Sequence, residues 1–162
     1  MKRNWAHWTM AAALLTAGSI SLLLTGVTSL KAQEAPRVDV VSSKGFEATV
    51  DALTTALKKE VLMIVATIDH QKMLTMVGAS IKGSRTIEFG KVDMGKMLLP
   101  MAPEVGLETP GKIYVWERGD GKTVISYRKV AALFATYGKK EMTEAGQMMD
   151  MITSKVVEAA AR

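Results

Sequence analysis

The sequence predicts an α+β domain: a mixed or antiparallel sheet of about five strands with helices packed on one face. Three observations support this fold class. Short β-rich runs alternate with segments of helical periodicity, and residues 112–118 and 122–128 form two β-rich runs joined by Gly119, Asp120 and Gly121, which predicts a hairpin. The last 20 or so residues predict a long closing helix. Because a hairpin imposes antiparallel pairing, a doubly wound parallel sheet fits less well.

The first half of the domain predicts two strands and two helices. Residues 38–41 are rich in valine and predict the first strand. A helix follows, since apolar residues recur at steps of three and four at Phe46, Val50, Leu53 and Leu57. The run 61–68 is apolar on both faces and predicts a central strand, after which Asp69 is a suitable N-cap for a helix over residues 70–77.

The second half predicts one more strand before the hairpin. Residues 84–90 alternate in the manner of a strand, and residues 94–99 predict a short helix that ends before Pro100 and Pro103. A surface loop is expected up to Pro110. One face of the closing helix is apolar and is expected to cover the sheet, with Met142, Ala145, Met149, Ile152, Val156 and Ala159.

The chain begins with the layout of a secretory signal. Lys2 and Arg3 precede 21 residues, 10–30, that carry no charge. We expect cleavage after Ala32, which makes residues 1–32 a signal peptide, residues 33–37 a short tether and residues 38–162 a single domain. The run is also long enough to remain as an uncleaved membrane anchor. Both alternatives place the domain in the periplasm or elsewhere outside the cytoplasm, soluble after cleavage or anchored at its N-terminus.

Composition excludes several functional classes. The chain contains no cysteine, so disulfides, thiolate metal sites and thiol nucleophiles are ruled out. Without the basic residues of the leader, 18 Lys and Arg face 16 Asp and Glu, and this small net charge argues against a nucleic-acid partner. Contact with a membrane is expected only through the leader, while a small ligand, a protein partner and a homo-oligomer remain open.

His70 is the strongest candidate for a functional residue. It is the only histidine after the leader, and it follows Asp69 at the end of a predicted strand. A neutral imidazole can bind a metal or haem iron, and Met73 follows one helical turn later. An imidazole–thioether pair suits copper(I) or haem, and haem would be non-covalent because no CxxCH motif is present. The alternative is a histidine that only makes hydrogen bonds at a helix end.

The methionines, like His70, are candidates either for ligand binding or for a purely structural role. Ten occur after residue 32, including Met97 with Met101 and the group Met148, Met149 and Met151. Thioethers bind soft copper(I) or haem iron, but methionine is also an adaptable filler of apolar cores.

Catalysis has less support than binding. The chain has no GxSxG motif, and a single histidine cannot build a multi-histidine metal centre. The acid pairs Glu104 with Glu108 and Glu117 with Asp120 fall in predicted turns, where solvated acids are common. A hydrolase-like enzyme is therefore the third hypothesis, after a ligand-binding module and a structural or protein-interaction domain.

A series of short motifs resembles a known family. They run from Gly45-Phe46 through Ile68-Asp69-His70, Phe89-Gly90, Val115-Trp116-Glu117 and Gly121-Lys122 to Tyr127. In this order and spacing, the region from about residue 38 to residue 160 resembles the family called domain of unknown function 302. The resemblance implies a compact α+β domain and leaves the function unassigned.

The chain departs from the family pattern at three places. It has Gly83-Ser84 where many relatives carry Pro-Thr, Lys91-Val92 where they carry Asn-Pro, and Thr136-Tyr137 where they carry Arg-His. The resemblance therefore implies that the second family histidine is missing, and Tyr137 at its position either substitutes as an oxygen ligand or ends the activity. The leading hypothesis is a non-catalytic, periplasmic ligand-binding module with a pocket near His70 and Tyr137 for a soft metal or haem.

Overall fold

The computed structural model describes residues 36–162. The predicted leader, its cleavage site and residues 33–35 of the tether lie outside these residues. Within the described part, no helix combines the length and the apolar character that a membrane span requires.

Five strands form one antiparallel sheet, which confirms the predicted fold class. They are β1 (Arg37–Val41), β2 (Met63–Asp69), β3 (Ser84–Gly90), β4 (Gly111–Glu117) and β5 (Thr123–Arg128). Their spatial order is β1-β5-β4-β3-β2, and every neighbouring pair is antiparallel. The predicted hairpin is the pair β4–β5, and it lies in the interior of the sheet.

The helices include every predicted one and two further elements. They are α1 (Phe46–Lys59), α2 (His70–Thr75), α3 (Val92–Leu98), a 3-10 helix (Pro103–Glu108), α4 (Ala131–Ala135) and α5 (Lys140–Ala161). The 3-10 helix occupies the predicted loop before Pro110. The short helix α4 was not predicted, since five residues are too few to show a helical period.

The prediction that β2 is a central strand is wrong, because β2 lies at the edge of the sheet. The run is apolar on both faces for a different reason. Met63 and Val65 line a cavity between the sheet edge and α3, so their apolar side chains are explained without a neighbouring strand. Apolar residues on both faces therefore do not by themselves place a strand at the centre of a sheet.

The main core lies between one face of the sheet and the helices α1 and α5. Strand residues Ile87, Ile113 and Ile125 are fully buried there, against Leu53 of α1 and Val156 of α5. Because side chains alternate between the faces of a strand, the residues next to them point to the opposite face. That opposite face carries polar and aromatic side chains.

A second apolar cluster joins α3, the 3-10 helix, α4 and the first half of α5. Its buried members are Leu98, Ala102, Val105, Phe134, Met142 and Ala145. Gly146 allows α4 and α5 to approach closely, since a Cβ atom at this position would lie 2.8 Å from the Cα of Ala131. The second cluster thereby forms one wall of the cavity beside β2.

The loop after β1 holds the end of α5. The backbone N–H of Ser43 donates to the carbonyl of Ala161 at 2.8 Å, and Nζ of Lys44 donates to the carbonyl of Ala160 at 3.1 Å. These bonds satisfy carbonyl groups that a helix end leaves without intrahelical partners.

Candidate functional site

His70 lies at the junction where β2 ends and α2 begins. It is the first residue of α2, and Asp69 before it accepts a 2.8 Å hydrogen bond from the backbone N–H of Lys72, as predicted for an N-cap. The other carboxylate oxygen of Asp69 accepts a hydrogen bond from Arg85 at 2.9 Å. The Lys72 N–H, followed by Arg85, holds the pKa of Asp69 below its usual value.

The His70 ring contacts two residues on neighbouring strands. Its Nε2 lies 2.8 Å from Oγ1 of Thr86, and its ring forms a T-shaped contact with the Tyr114 ring, with centroids 5.9 Å apart. The Tyr114 hydroxyl in turn lies 2.7 Å from Oγ of Ser84. His70 is half-buried, and one of its ring nitrogens already has a partner. Across residues 36–162, no group of three or more His, Cys, Asp or Glu is arranged to hold a metal ion.

The partners of His70 belong to a row of side chains across the sheet. Thr86, Tyr114, Ser126 and Asp39 lie directly opposite one another on β3, β4, β5 and β1. Oγ of Ser126 donates to Oδ1 of Asp39 at 2.6 Å, and Nε1 of Trp116 donates to Oγ of Ser126 at 2.9 Å. The row therefore consists largely of hydrogen-bonded groups on the face opposite α1 and α5.

A groove of about 530 Å³ runs along this row, and we call it the polar groove. Arg37 and Lys112 line it, but each already faces a carboxylate. Arg37 donates to Asp39 at 2.9 Å, and Nζ of Lys112 lies 3.4 Å from Glu88. The hydrogen bond from Ser126, followed by that from Arg37, lowers the pKa of Asp39. The charges of these two cations are thus balanced within the protein.

Tyr137 lies in a different environment from His70. It packs against the second apolar cluster, and its hydroxyl donates to Oε1 of Glu108 at 3.3 Å and to the carbonyl of Glu104 at 3.4 Å. Burial, followed by the nearby Glu108 carboxylate, raises the pKa of Tyr137. No hydrogen bond or ring contact joins His70 to Tyr137, but Thr86 and Tyr114 beside His70 and Glu108 beside Tyr137 all line the polar groove, and a shared ligand stays a prediction.

The methionines are dispersed over the fold. Met73 lies on α2 with 56% of its surface exposed. Met142 and Met149 are buried in the apolar clusters, whereas Met148 and Met151 are exposed on α5. The core-filling interpretation therefore applies to the buried pair, and the role of Met73 beside His70 stays a prediction.

A second cavity, of about 240 Å³, lies beside β2 and was not predicted from the sequence. We call it the apolar cavity. Among its described lining residues, only Lys91 and Glu108 are charged. The rest are predominantly apolar and include Met63, Val65, Phe89, Val92, Met94, Leu98, Leu99, Val105, Val130, Phe134 and Met149.

Several lining residues of the apolar cavity are also exposed. Met63, Val65 and Val92 each leave more than half of their surface exposed, at 52%, 51% and 61%, and Leu99 leaves 41%. Single exposed apolar residues are ordinary, but a group of them around one opening is typical of a binding surface. The apolar cavity is therefore the better-formed candidate site for a ligand.

Comparisons with known proteins agree with the resemblance seen in the sequence. Residues 38–159 match the protein family described as "Domain of unknown function DUF302". No curated protein matches the chain. The fold is similar to the crystal structure of an uncharacterized conserved protein DUF302 from Bacillus stearothermophilus, with a TM-score of 0.70 and 19% sequence identity over 78% of this chain and 98% of that one. The chain belongs to the domain of unknown function DUF302 family.

Proposed function

We propose that this protein is an exported, non-catalytic ligand-binding module whose ligand occupies the apolar cavity. The observation that carries the proposal is a cavity of about 240 Å³ with an almost entirely apolar lining and half-exposed apolar side chains around it. Engineered apolar cavities of about 150 Å³ already take up benzene. The apolar cavity is larger, so it has room for a larger apolar group.

The character of the lining favours binding over catalysis. Ligand sites are usually concave and mostly apolar, with a few polar groups that orient the ligand. Here the polar side chains among the described lining residues are those of Lys91, Glu108 and Thr109. Burial of apolar ligand surface contributes about 25 cal/mol per Å², so affinity can come from the lining itself.

Export is supported by the sequence of the leader. Lys2 and Arg3 followed by 21 uncharged residues are typical of a segment that enters a membrane. Fractionation of cells that produce the full chain tests this part of the proposal. Recovery in the periplasm is expected, and recovery of the intact chain in the cytosol would contradict it.

Binding is tested with the fluorescent apolar probe N-phenyl-1-naphthylamine. Val65→Trp fills the mouth of the apolar cavity and should weaken probe binding at least about tenfold, equivalent to about 1.4 kcal/mol. The matched control is Val41→Trp, because Val41 is similarly exposed, at 47%, on a strand that does not line the cavity. Equal probe binding by the two variants, or no binding by the unmodified protein, would refute the proposal.

A soft metal or haem at His70 is the competing ligand hypothesis. The same protein is titrated with copper(I) and with haem, and His70→Ala is compared with Val65→Trp. Loss of metal or haem binding only in His70→Ala would place the ligand at His70. If none of these compounds binds, a structural or protein-interaction domain becomes the leading hypothesis, ahead of a hydrolase-like enzyme.

A further inference from the structure

Lys91 is a half-buried cation at the apolar cavity. It is the residue before α3, and its backbone carbonyl accepts the hydrogen bond from Gly95 that opens the helix. Within residues 36–162, its ammonium group makes no hydrogen bond and no ion pair. The Lys91 residue is partly buried beside the cavity while its ammonium group has no carboxylate or carbonyl acceptor, so this charge can pair with an anionic group of a bound ligand.

Comparison with the other described lysines shows that a partly buried lysine without a partner is unusual in this domain. Lys44 is also half-buried, but its Nζ donates to the carbonyl of Ala160. Lys112 and Lys155 face Glu88 and Glu60. The lysines whose ammonium groups lack a partner in the described part of the chain are exposed, apart from Lys91. Solvent hydrates those exposed lysines, whereas Lys91 is partly enclosed.

Glu108 is the second charged residue of the cavity lining, and it does not neutralise Lys91. Its carboxylate accepts the hydrogen bond from the Tyr137 hydroxyl, and it lies beyond 4.0 Å from any lysine ammonium group of the described residues. The lining therefore offers one lysine ammonium without a partner and one carboxylate that is hydrogen-bonded to Tyr137, beside a large apolar surface.

We infer that the ligand of the apolar cavity is an anionic amphiphile, a monocarboxylate whose apolar part fills the cavity and whose carboxylate pairs with Lys91. This inference rests on the proposed function and adds the chemical class of the ligand. A carboxylate replaces water around the ammonium with a charged acceptor. A neutral alcohol gains less, and an amine is repelled.

Three probes with the same tail test the inference: decanoate, decanol and decylamine, each added to the full-length protein. Decanoate should bind about tenfold more tightly than decanol, as expected for one charge-assisted hydrogen bond in a partly buried site. Lys91→Met keeps an unbranched side chain that is one atom shorter and uncharged, and it should remove this preference. Lys96→Met is the control, since Lys96 is exposed on the same helix outside the cavity.

The outcomes separate the two proposals. If decanol binds as well as decanoate, or if Lys91→Met and Lys96→Met behave alike, the carboxylate assignment is wrong while the cavity remains a binding site. If no probe binds, the proposed function fails as well. Lys91→Arg should retain the preference for decanoate, which distinguishes loss of charge from a disturbance of α3.

Discussion

Asp150 of α5 accepts a 2.7 Å hydrogen bond at Oδ1 from the backbone N–H of Val130 at the start of α4. Its second oxygen lies 3.3 Å from the N–H of Ala131. Val130 occupies the N-cap position and has no side-chain acceptor, so α4 is capped by a residue twenty positions later in the chain. This bond holds Val130 and Phe134 at the wall of the apolar cavity.

Removal of the Asp150 cap should destabilise the protein. We expect Asp150→Ala to lower the free energy of unfolding by about 1–2 kcal/mol, the typical value of an N-cap. Urea denaturation followed by circular dichroism measures the change. Glu144→Ala is the control, because Glu144 forms only an exposed i,i+4 pair with Lys140. Equal stability of the two variants would show that the cap contributes nothing.

Substitution of Val61 by glycine should stabilise the protein. It follows α1 with φ +55°, and the bonds Leu62 N–H to Leu57 and Val61 N–H to Lys58 form a Schellman motif, where glycine is usual. Its side chain is 79% exposed, so little packing is lost. Val61→Gly should raise the free energy of unfolding by about 1 kcal/mol.

The control for Val61 is the same substitution at Val77. Val77 is 76% exposed and has a negative φ, since Val61 is the one non-glycine residue of the described chain with a positive φ. Val77→Gly should not stabilise. A decrease in thermal unfolding temperature for Val61→Gly would contradict the strain argument.

Two glycines in helices should respond oppositely to alanine. A Cβ at Gly146 would lie 2.8 Å from Ala131 Cα and 2.9 Å from Phe134 Cβ, so Gly146→Ala should cost about 1–3 kcal/mol through overpacking. A Cβ at Gly95 of α3 meets only Leu99 at 3.9 Å, so Gly95→Ala should gain up to about 1 kcal/mol of helix propensity. Chemical denaturation of both variants checks the signs, and equal effects would contradict the close approach of α4 and α5.

Stability should fall in acid partly because of Asp69. Its folded-state pKa lies below the usual value of 3.8, mainly through the Lys72 N–H and then Arg85. The free energy of unfolding that ionised Asp69 contributes is therefore present above pH 4 and is lost as the pH falls through the folded-state pKa. Asp69→Asn should flatten the decline of the urea midpoint below pH 4. Asp51→Asn, which removes an exposed carboxylate, is the control, and identical pH profiles would contradict the prediction.

The fold was largely predictable because its signals are local. The glycine-rich turn fixed the hairpin β4–β5, and the three- and four-residue spacing fixed α1 and α5. The helix α4 was not predicted because it is short and because its cap, Asp150, is distant in sequence. The edge position of β2 was not predicted because the apolar residues Met63 and Val65 line a cavity and do not pack against a neighbouring strand.

The candidate site was less predictable because it depends on tertiary contacts. The sequence placed His70 at a strand end, where the structure has it, but no local signal shows that Thr86 and Tyr114 are its partners. The apolar cavity is built by several separate elements, so no single run of residues reveals it. The alternation of Tyr114 and Trp116 along β4 could have indicated an aromatic pair on the face opposite the core.

The bonds from Ser43 and Lys44 to the last turn of α5 make the assembly of this domain depend on its final residues. Within residues 36–162, β1 pairs only with β5, and the loop behind it contacts residues nearly 120 positions later in sequence. A nascent chain that lacks its carboxyl-terminal third leaves the first strand without a neighbour. Closure of the domain is therefore a late, long-range event during synthesis, which favours slow folding of the emerging polypeptide.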